Sequence, residues 1–374
     1  MSASTVLASR AVFPPGAVLP GWLRVTDGEI VEAGRGTPPT GAEDWGDAVL
    51  APAYIDLQVN GTDQVDFATA GRDGWRRAAR TLAEHGVAAY LATYVSAPLD
   101  SYDAALGRLT AAIDDRPPDG AVALGAHLEG PFLGDAPGAH PAELIRPVDL
   151  VWLDALLDAH PGLVRMVTLA PEADPGYSAV TRLAERGVLV ALGHSRATDA
   201  DARAGADAGA RVVTHVFNGM GPFHQREPGL AGAALDDDRL TPTLIADLQH
   251  VHPTVVRLVF AASPTVAIVS DSVASLTRLG LNRLDGTSEE GGVSVLPDGR
   301  LAGSLTLLDD AVANLVRIGV RFERAVAAAS AGPALLLGLE DRGRLEVGAR
   351  ADVVALEPGT ARLLAVWIAG ERVA

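Results

Sequence analysis

Short apolar runs alternate with longer amphipathic segments through most of this 374-residue chain. Each run is rich in Val, Ile, Leu and Ala, and nearly all of them precede a segment with helical spacing. The runs are AYIDLQVNG, AAYLATYVS, AVALGAHLEG, VRMVTLAPE, LVALGHS, VVTHVFNG, PTLIADLQH and TVAIVSDS. Eight such strands with intervening helices predict an α/β fold, a (β/α)8 barrel of the TIM type over residues 52–337. A doubly wound open sheet is the alternative.

The two ends of the chain have a different pattern. Near the N-terminus, GWLRVTDGEIVEAG predicts two short strands around Asp27-Gly28, a dipeptide favoured in hairpin turns. Near the C-terminus, GRLEVGARADVVALE and LLAVWIAGERVA have strand character with glycine turns. Neither end is long enough for its own core, so residues 1–51 and 338–374 are predicted to form one small β-sandwich domain beside the barrel. Residues 284–292, LDGTSEEGG, are predicted to be a surface connection.

Composition and charge narrow the functional classes. Hydrophobic residues make up 48% of the chain, which excludes wholesale disorder. The net charge of −17 argues against nucleic acid or an anionic membrane as the main partner, and it requires local donors for any anionic substrate. No secretory leader or run of membrane-spanning length is evident. The chain has no cysteine, which excludes disulfides and thiolate metal sites and fits a cytoplasmic protein.

Ionisable and amide side chains collect at or near the carboxyl ends of the predicted strands, where the active sites of such barrels lie. In chain order they are Asp56, Gln58, Asn60, His127, Glu129, His194, His215, Asp247, His250 and Asp271. A chance scatter of such groups would not favour strand ends. The convergence therefore predicts a functional site at this end of the barrel.

Two histidines and one glutamate from separate strands are a typical ligand set for zinc or a similar divalent ion. Glu129, His194 and His215 would supply three protein ligands and leave a position open for water. Such an ion lowers the pKa of water and polarises a carbonyl oxygen. Asp271 could then transfer the water's proton to the leaving group. The pattern predicts hydrolysis of an amide or ester, with His127 supporting Glu129 from one strand step below.

Each of these residues also has a purely structural interpretation. A buried histidine is commonly a hydrogen-bonded core residue, and a strand-end aspartate such as Asp271 commonly caps a helix. Asp56 fits a metal ligand, and equally a buried carboxylate bonded to backbone amides. Arg226, in a loop rich in glycine and proline, fits a phosphate clamp and equally an ion pair with Glu227.

Seven longer motifs point to a family. They are APAYIDLQVNG, GAHLEGPFLG, GHSRAT, THVFNGM, REPGLAGAALDD, IADLQHVHP and IVSDSVA. In order and approximate spacing they resemble the N-acetylglucosamine-6-phosphate deacetylases of the amidohydrolase superfamily. The likeness covers almost the whole chain, and its most specific motifs are REPGLAG and HLEGPF. It implies a metal-dependent barrel hydrolase that converts N-acetylglucosamine 6-phosphate to glucosamine 6-phosphate and acetate.

The same resemblance implies residue roles. Glu129, His194 and His215 match the family's metal ligands. Asp271 matches its catalytic aspartate, a general base toward water and then a general acid toward the amine. The implied substrate contacts are Ala139 and His140 on the loop over the substrate, Asn218, Gly219, Arg226 and His250 around the phosphate, and Ala302, Gly303 and Ser304 along the acetyl end. In relatives the arginine reaches across from the neighbouring subunit of a homodimer.

Gln58 and Asn60 stand where some relatives place two histidines for a second metal. The resemblance therefore implies one divalent ion per subunit. Zn²⁺ is the first expectation, and Fe²⁺, Mn²⁺ and Co²⁺ are the alternatives.

Several positions depart from the family pattern. The lid loop, residues 134–140, lacks the lysines that many relatives have and adds Asp135, while Gly219 stands where alanine is common. SDSVAS replaces a more frequent Thr-Asp-Ala. These changes leave open another substrate, such as N-acetylgalactosamine 6-phosphate or a small cyclic amide. They also leave open a lower activity, or a sugar-phosphate-binding protein without turnover.

Overall fold

The computed structural model describes residues 4–13, 17–274 and 288–374. Four strands precede the barrel: β1 (Ser4–Phe13), β2 (Ala17–Thr26), β3 (Glu29–Arg35) and β4 (Glu43–Pro52). Asp27 and Gly28 join β2 to β3 with φ angles of 51° and 83°. A two-residue hairpin turn of this kind needs positive φ at both positions, which explains the Asp-Gly pair.

Eight parallel strands follow and form the barrel. They are β5 (Tyr54–Val59), β8 (Val87–Val95), β9 (Val122–Glu129), β10 (Val164–Leu169), β11 (Leu189–Leu192), β12 (Val212–Val213), β13 (Thr241–Ile245) and β14 (Ala267–Val269), with a short hairpin of β6 (Gly61–Thr62) and β7 (Val65–Asp66) after the first. Each strand pairs with the next, and a parallel bridge between Val59 and Ser272 joins the two edges. The predicted barrel is confirmed, and the open sheet is excluded.

Helices separate the strands and cover the outside of the barrel. They are α1 (Arg72–Glu84), α2 (Ser101–Asp114), α3 (Leu150–Ala159), α4 (Ser178–Glu185), α5 (Asp199–Ala208), α6 (Gly229–Asp236), α7 (Pro253–Ala262), α8 (Leu308–Arg317), α9 (Phe322–Ala329) and α10 (Ala331–Leu337), with single 3₁₀ turns at Ala142–Leu144 and Pro171–Ala173. Within the described ranges, none of them has the length and apolar character of a membrane span.

The lower part of the barrel interior is apolar. Its side chains are Ile55, Leu57, Ala89, Leu91, Met166, Ala191, Val212, Ile245, Ala267 and Val269. Ala334 and Leu337 of α10 belong to the same cluster, so this helix packs against the start of the barrel. Polar strand residues are thereby left to the opposite, carboxyl end.

A three-stranded antiparallel sheet lies beside that end. It consists of β15 (Ser288–Glu290), β16 (Val293–Val295) and β17 (Leu301–Ser304). Ser304 forms a bridge with Ser272, just after the eighth barrel strand. The prediction of a surface connection at residues 284–292 is wrong for residues 288–290, while residues 284–287 lie outside the described ranges. The error arose because the Ser-Glu-Glu sequence of β15 has no apolar period.

Both ends of the chain contribute to one seven-stranded sheet, completed by β18 (Val353–Leu356), β19 (Leu363–Ile368) and β20 (Glu371–Arg372). Its order is β20–β19–β18–β4–β1–β2–β3. Val353 of β18 packs with Leu7 and Leu23 inside this unit, whereas the neighbouring Val354 packs with the core that includes the barrel helices. A common sheet from both termini is confirmed. The domain limits 1–51 plus 338–374 and 52–337 stay a prediction.

Candidate active site and metal centre

A cavity of about 1150 Å³ opens at the carboxyl ends of the barrel strands. Ligand pockets commonly measure about 300–1,000 Å³, so a small molecule fits. The cavity wall includes Asn60, Glu129, Ala139, His140, His194, His215, Asn218, Gly219, His250, Asp271, Ala302 and Gly303. Six residues that the sequence placed in or near the site are not part of this wall: Asp56, Gln58, His127, Arg226, Asp247 and Ser304.

Glu129, His194 and His215 are buried and point at one position. The Oε1 atom of Glu129 lies 3.0 Å from Nε2 of His194 and 2.9 Å from Nε2 of His215. The two Nε2 atoms are 3.1 Å apart. Ligand atoms around a tetrahedral zinc ion, with bonds of about 2.0–2.1 Å, are separated by roughly 3.3 Å. The donor set and its spacing therefore fit a divalent metal ion.

The ionisation states of Glu129 and His194 suit metal binding, whereas for His215 the hydrogen bond with Glu129 outweighs burial and raises the pKa. Burial lowers the pKa of His194 to about 4, so its imidazole is neutral near pH 7. Burial alone would raise the pKa of Glu129, but its interactions with the imidazoles of His140, His194 and His215 hold it well below the usual value. A neutral imidazole and an ionised carboxylate are the forms that ligate a cation.

Three of these side chains depend on an unusual backbone conformation. His194, His215 and Asp271 have φ angles of 49°, 26° and 47°, in the left-handed region. Each lies two residues beyond the end of its barrel strand. Such a conformation costs on the order of 1–3 kcal/mol in a residue other than glycine and is concentrated at functional sites. All three belong to the cavity wall, so the strained turns present these side chains to the site.

Gln58 connects the candidate metal site to the candidate base. Its Nε2 donates to Oε1 of Glu129 at 2.9 Å and to Oδ1 of Asp271 at 3.1 Å. The Thr214 hydroxyl donates to Oε1 of Gln58, which fixes the orientation of the amide. Asn60 donates a further hydrogen bond to Oδ1 of Asp271 at 2.9 Å. Burial and then the charge of Glu129 raise the pKa of Asp271 to about 6.

His127 lies inside the barrel below Glu129. Its Nδ1 donates to the carbonyl oxygen of Leu57 at 3.1 Å, and its Nε2 accepts from the Thr168 hydroxyl at 2.7 Å. Burial lowers its pKa to about 4, so the ring is neutral. His127 thus joins three strands beneath the site and makes no hydrogen bond to Glu129.

His140 brings the lid loop against the metal site. Its ring lies at 4.5 Å from the ring of His194, measured between centroids. The Ser96 backbone N–H donates to Nδ1 at 3.2 Å, so in the neutral ring the proton is on Nε2. That Nε2 lies 3.6 Å from Oε2 of Glu129. Ala139, next to it, contributes to the cavity wall.

Three of the four residues implied in phosphate binding line the cavity. Asn218, Gly219 and His250 line the cavity. Nδ1 of His250 lies 2.6 Å from a carboxylate oxygen of Asp247. Although burial opposes its ionisation, this contact holds the pKa of Asp247 below its usual value. Because Asp247 occupies Nδ1, His250 can present Nε2 to a ligand.

Arg226 does not reach the cavity of its own chain. It lies exposed in the segment before α6, and its backbone N–H donates to Nδ1 of His224 at 3.3 Å. Within the described part of the chain it forms no ion pair, so the alternative of a salt bridge to Glu227 is not seen.

The three β17 residues that the resemblance places along the acetyl end have different surroundings. Ala302 and Gly303 line the cavity, and Gly303 has a φ of 97°. A Cβ on Gly303 would lie 2.5 Å from Cγ1 of Val273 and 3.0 Å from the carbonyl oxygen of Asp271, so only glycine fits. Ser304 is buried, and its hydroxyl accepts a hydrogen bond from the Thr306 backbone. It therefore supports the strand without facing the cavity.

Sequence reasoning missed several neutral residues that position the site. Ser96 orients His140, Thr214 orients Gln58, and the Thr243 hydroxyl accepts from the His215 backbone N–H at 2.7 Å. Ser96 and Thr214 also lie just after barrel strands. Extending the strand-end argument from ionisable and amide groups to hydroxyl groups would have found these two.

The sequence is similar to that of a known enzyme family and of several named proteins. Residues 49–373 match the Amidohydrolase family. An N-acetylgalactosamine-6-phosphate deacetylase of Escherichia coli O157:H7 is 39% identical over 363 residues, which cover 94% of this chain and 95% of the relative. An N-acetylglucosamine-6-phosphate deacetylase of Bos taurus is 37% identical over 350 residues, which cover 88% of this chain and 84% of the relative.

Solved structures of deacetylases are also similar to this chain. The N-acetyl-D-glucosamine-6-phosphate deacetylase of Mycobacterium smegmatis, solved as a variant in complex with N-acetyl-D-glucosamine-6-phosphate, has a TM-score of 0.90 and 32% identity, covering 100% of both chains. The N-acetylglucosamine-6-phosphate deacetylase of Thermotoga maritima has a TM-score of 0.85 and 29% identity, covering 99% of each chain.

Proposed function

The chain belongs to the amidohydrolase family, among the N-acetylglucosamine-6-phosphate deacetylases, and on that premise we propose that it hydrolyses N-acetyl-D-glucosamine 6-phosphate to D-glucosamine 6-phosphate and acetate. The observation that carries the proposal is the amide of Gln58. It contacts both Glu129 and Asp271, and so sets a carboxylate base beside a three-ligand metal site. A hydrolase of an unactivated amide needs this combination.

A divalent ion held by Glu129, His194 and His215 would supply the activation of water and the polarisation of the acetyl carbonyl. Asp271 accepts the proton of the attacking water and delivers it to the nitrogen of the departing amine. Gln58 and Asn60 donate to the same oxygen of Asp271, which favours its charged form.

The lid and the phosphate end position the sugar. The Nε2–H of His140 faces the site and can donate to the acetyl carbonyl. Asn218, Gly219 and His250 form the phosphate end from this subunit. Ala139, Ala302 and Gly303 complete the wall near the acetyl group. Ser304 supports that wall from behind.

Three finer statements belong to the same proposal. The ion is Zn²⁺, because two imidazole nitrogens and one carboxylate suit it. One ion binds per subunit, because Gln58 and Asn60 are amides at the positions where some relatives have two histidines for a second metal. The active form is a homodimer in which Arg226 enters the partner's site, which agrees with its exposure in the single chain. The location is cytoplasmic, in keeping with a chain that lacks cysteine.

Acetate release tests the function directly. Zinc-loaded protein is incubated with N-acetylglucosamine 6-phosphate, with unphosphorylated N-acetylglucosamine and with N-acetylgalactosamine 6-phosphate. The epimer is included because a relative at 39% identity has that name. We expect release mainly from N-acetylglucosamine 6-phosphate, and Asp271→Asn is expected to reduce kcat by about 10²–10⁴-fold.

Two results would contradict the proposal. Release confined to the galactosamine epimer would keep the mechanism and replace the substrate. No release from any of the three, with about one metal ion bound per chain, would remove the catalytic function. Metal content measured on wild type and Asp271→Asn shows whether a loss of activity is a loss of the base alone.

A further inference from the structure

Few positive charges surround the cavity of this strongly acidic chain. The sequence has no lysine, and the net charge is −17. Within the described residues, the arginines of the cavity wall are Arg77, Arg196 and Arg300. Arg300 pairs with Asp298 and donates to the carbonyl oxygen of Gly138. Arg196 forms no ion pair in the described part of the chain, so its charge is available to a ligand.

Arg196 lies beside the segment that contains the proposed phosphate contacts. The preceding residue, Ser195, donates its backbone N–H to the carbonyl oxygen of Gly219 at 3.0 Å and bridges to Met220. A Cβ on Gly221 would lie 3.8–4.0 Å from the Cα, Cβ and Cγ atoms of Arg196. The backbone before Arg196 thus pairs with Gly219 and Met220, the base of the Arg196 side chain lies beside Gly221, and the side chain lines the same cavity.

Glu172 fixes the turn from which Arg196 projects. The Arg196 backbone N–H donates to Oε1 of Glu172 at 2.7 Å, and the Ser195 hydroxyl donates to its other oxygen. A Cβ on Gly134, at the start of the lid loop, would lie 2.4 Å from Oε1 of Glu172, so the lid begins against this carboxylate. The base of the arginine is thus rigid, although its head group is exposed.

Most hydrogen-bond donors of the Arg196 guanidinium are available to a ligand. Its Nε donates to the carbonyl oxygen of Asp135 in the lid loop at 3.3 Å. Within the described residues both Nη groups make no hydrogen bond, and together they offer a planar fork of the kind that binds phosphate with paired hydrogen bonds. A side chain that contacts the lid and borders residues 219–221 can hold a phosphate between them.

We infer that Arg196 binds the phosphate of the substrate from within the same subunit, as a specificity residue in addition to Asn218, Gly219 and His250. This inference rests on the proposed function. It also explains how a dianion is retained by a chain of the same sign whose lid loop has no lysine. Arg196 then discriminates between phosphorylated and unphosphorylated sugars without taking part in the proton transfers.

The test compares Arg196→Gln and Arg196→Lys with Arg77→Gln. Arg77 is the matched control because it also lines the cavity, on α1, and forms no ion pair within the described residues. For Arg196→Gln we expect KM for N-acetylglucosamine 6-phosphate to rise at least about tenfold. The value of kcat stays within about threefold, and turnover of the unphosphorylated sugar stays unchanged. Arg196→Lys recovers part of the loss, and Arg77→Gln leaves both substrates unaffected.

Binding of glucosamine 6-phosphate, measured by calorimetry, tests the inference without turnover. Binding at least about tenfold weaker in Arg196→Gln than in Arg77→Gln supports it. Equal losses for phosphorylated and unphosphorylated sugars would overturn it, because they would show that Arg196 only holds the lid. Unchanged KM and binding would also overturn it. A wild-type protein that binds the sugar phosphate but releases no acetate would remove the proposed function and leave this inference standing.

Discussion

At the scale of single residues, Asp271 is subject to opposing influences on its pKa. Burial and then the negative charge of Glu129 raise the pKa to about 6, whereas the hydrogen bond from Asn60 lowers it. A general base acts in its charged form, so activity is lost as the pH falls through this pKa. We predict that kcat/KM declines on the acid side with an apparent pKa between about 4, the ordinary value for aspartate, and about 6. A bound cation moves it toward the lower limit.

The matched variant for this pH dependence is Asn60→Leu. It removes the donor at 2.9 Å from Oδ1 of Asp271, which destabilises the charged carboxylate, so the acid limb moves to higher pH. Gln64→Leu, a change in the same cavity wall, serves as the control and keeps the wild-type profile. Profiles of initial rate against pH, with metal content checked at each end, decide the matter. An acid limb that stays in place in Asn60→Leu would show that Asp271 is not the titrating base.

The candidate site could be predicted unevenly at this scale. Glu129, His194 and His215 were found because charged groups at strand ends are conspicuous in an apolar pattern. Their mutual distances of 2.9–3.1 Å agree with that expectation. The left-handed φ angles could not be predicted, because residues other than glycine give no local signal for them. The contact that we infer for Arg196 was also missed, since this residue lies two positions after His194 in an ordinary-looking loop.

At the scale of elements, β17 places Gly303 against the turn that contains Asp271. We predict that Gly303→Ala destabilises the protein by about 1–3 kcal/mol and lowers kcat. Its φ of 97° disfavours a side chain, and the added Cβ would contact Val273 and the carbonyl oxygen of Asp271. The strand must move away from the turn, which displaces the base. Urea unfolding and steady-state kinetics measure the two effects.

Gly299, in the turn between β16 and β17, separates the effect of backbone strain from that of steric contact with neighbouring atoms. It also has positive φ, at 83°, but a Cβ there would meet no atom within 4 Å. Gly299→Ala is expected to cost about 1 kcal/mol and to leave kcat unchanged. If both variants lose stability equally and neither loses activity, then β17 has no part in holding Asp271.

Strands and helices could be predicted where the hydrophobic pattern extends over many residues. All eight barrel strands coincide with the apolar runs, although β8 and β13 each begin one residue before their run. Even β12, which has only two residues in regular pairing, lies in one of them. The hairpin of β15 and β16 was missed in part, because β15 has a polar sequence and is held mainly by pairing with β16. Short strands of this kind are specified by their neighbours, which a local pattern does not describe.

At the scale of the whole molecule, the pairing of the two chain ends was predictable because neither end could form a core alone. The order of the seven strands was not, since it depends on which edges remain open. β4 pairs with β1 in parallel and with β18 in antiparallel orientation, an arrangement that no hairpin signal gives. The proposed homodimer is harder still to predict from the sequence, because it concerns contacts between two chains.

Arg226 makes that relation testable. We propose that it completes the phosphate site of a second subunit, since in its own chain it lies outside the cavity. Under this proposal, Asp271→Asn and Arg226→Gln are each expected to be strongly impaired, the second mainly through KM. Co-expressed with different affinity tags, they form mixed dimers. In each mixed dimer one site has an intact Asp271 and receives an intact Arg226 from the other chain.

Random assembly makes half of the dimers mixed, and one of the two sites in each is complete. About a quarter of wild-type activity should therefore return, although neither variant alone supplies it. If Arg226 acts within its own chain, no site in the mixed dimer has both residues, and activity stays at the level of the separate variants. Purifying the doubly tagged species removes the statistical dilution and doubles the expected recovery. A protein that elutes as a monomer at assay concentration would contradict the shared site before any kinetics are measured.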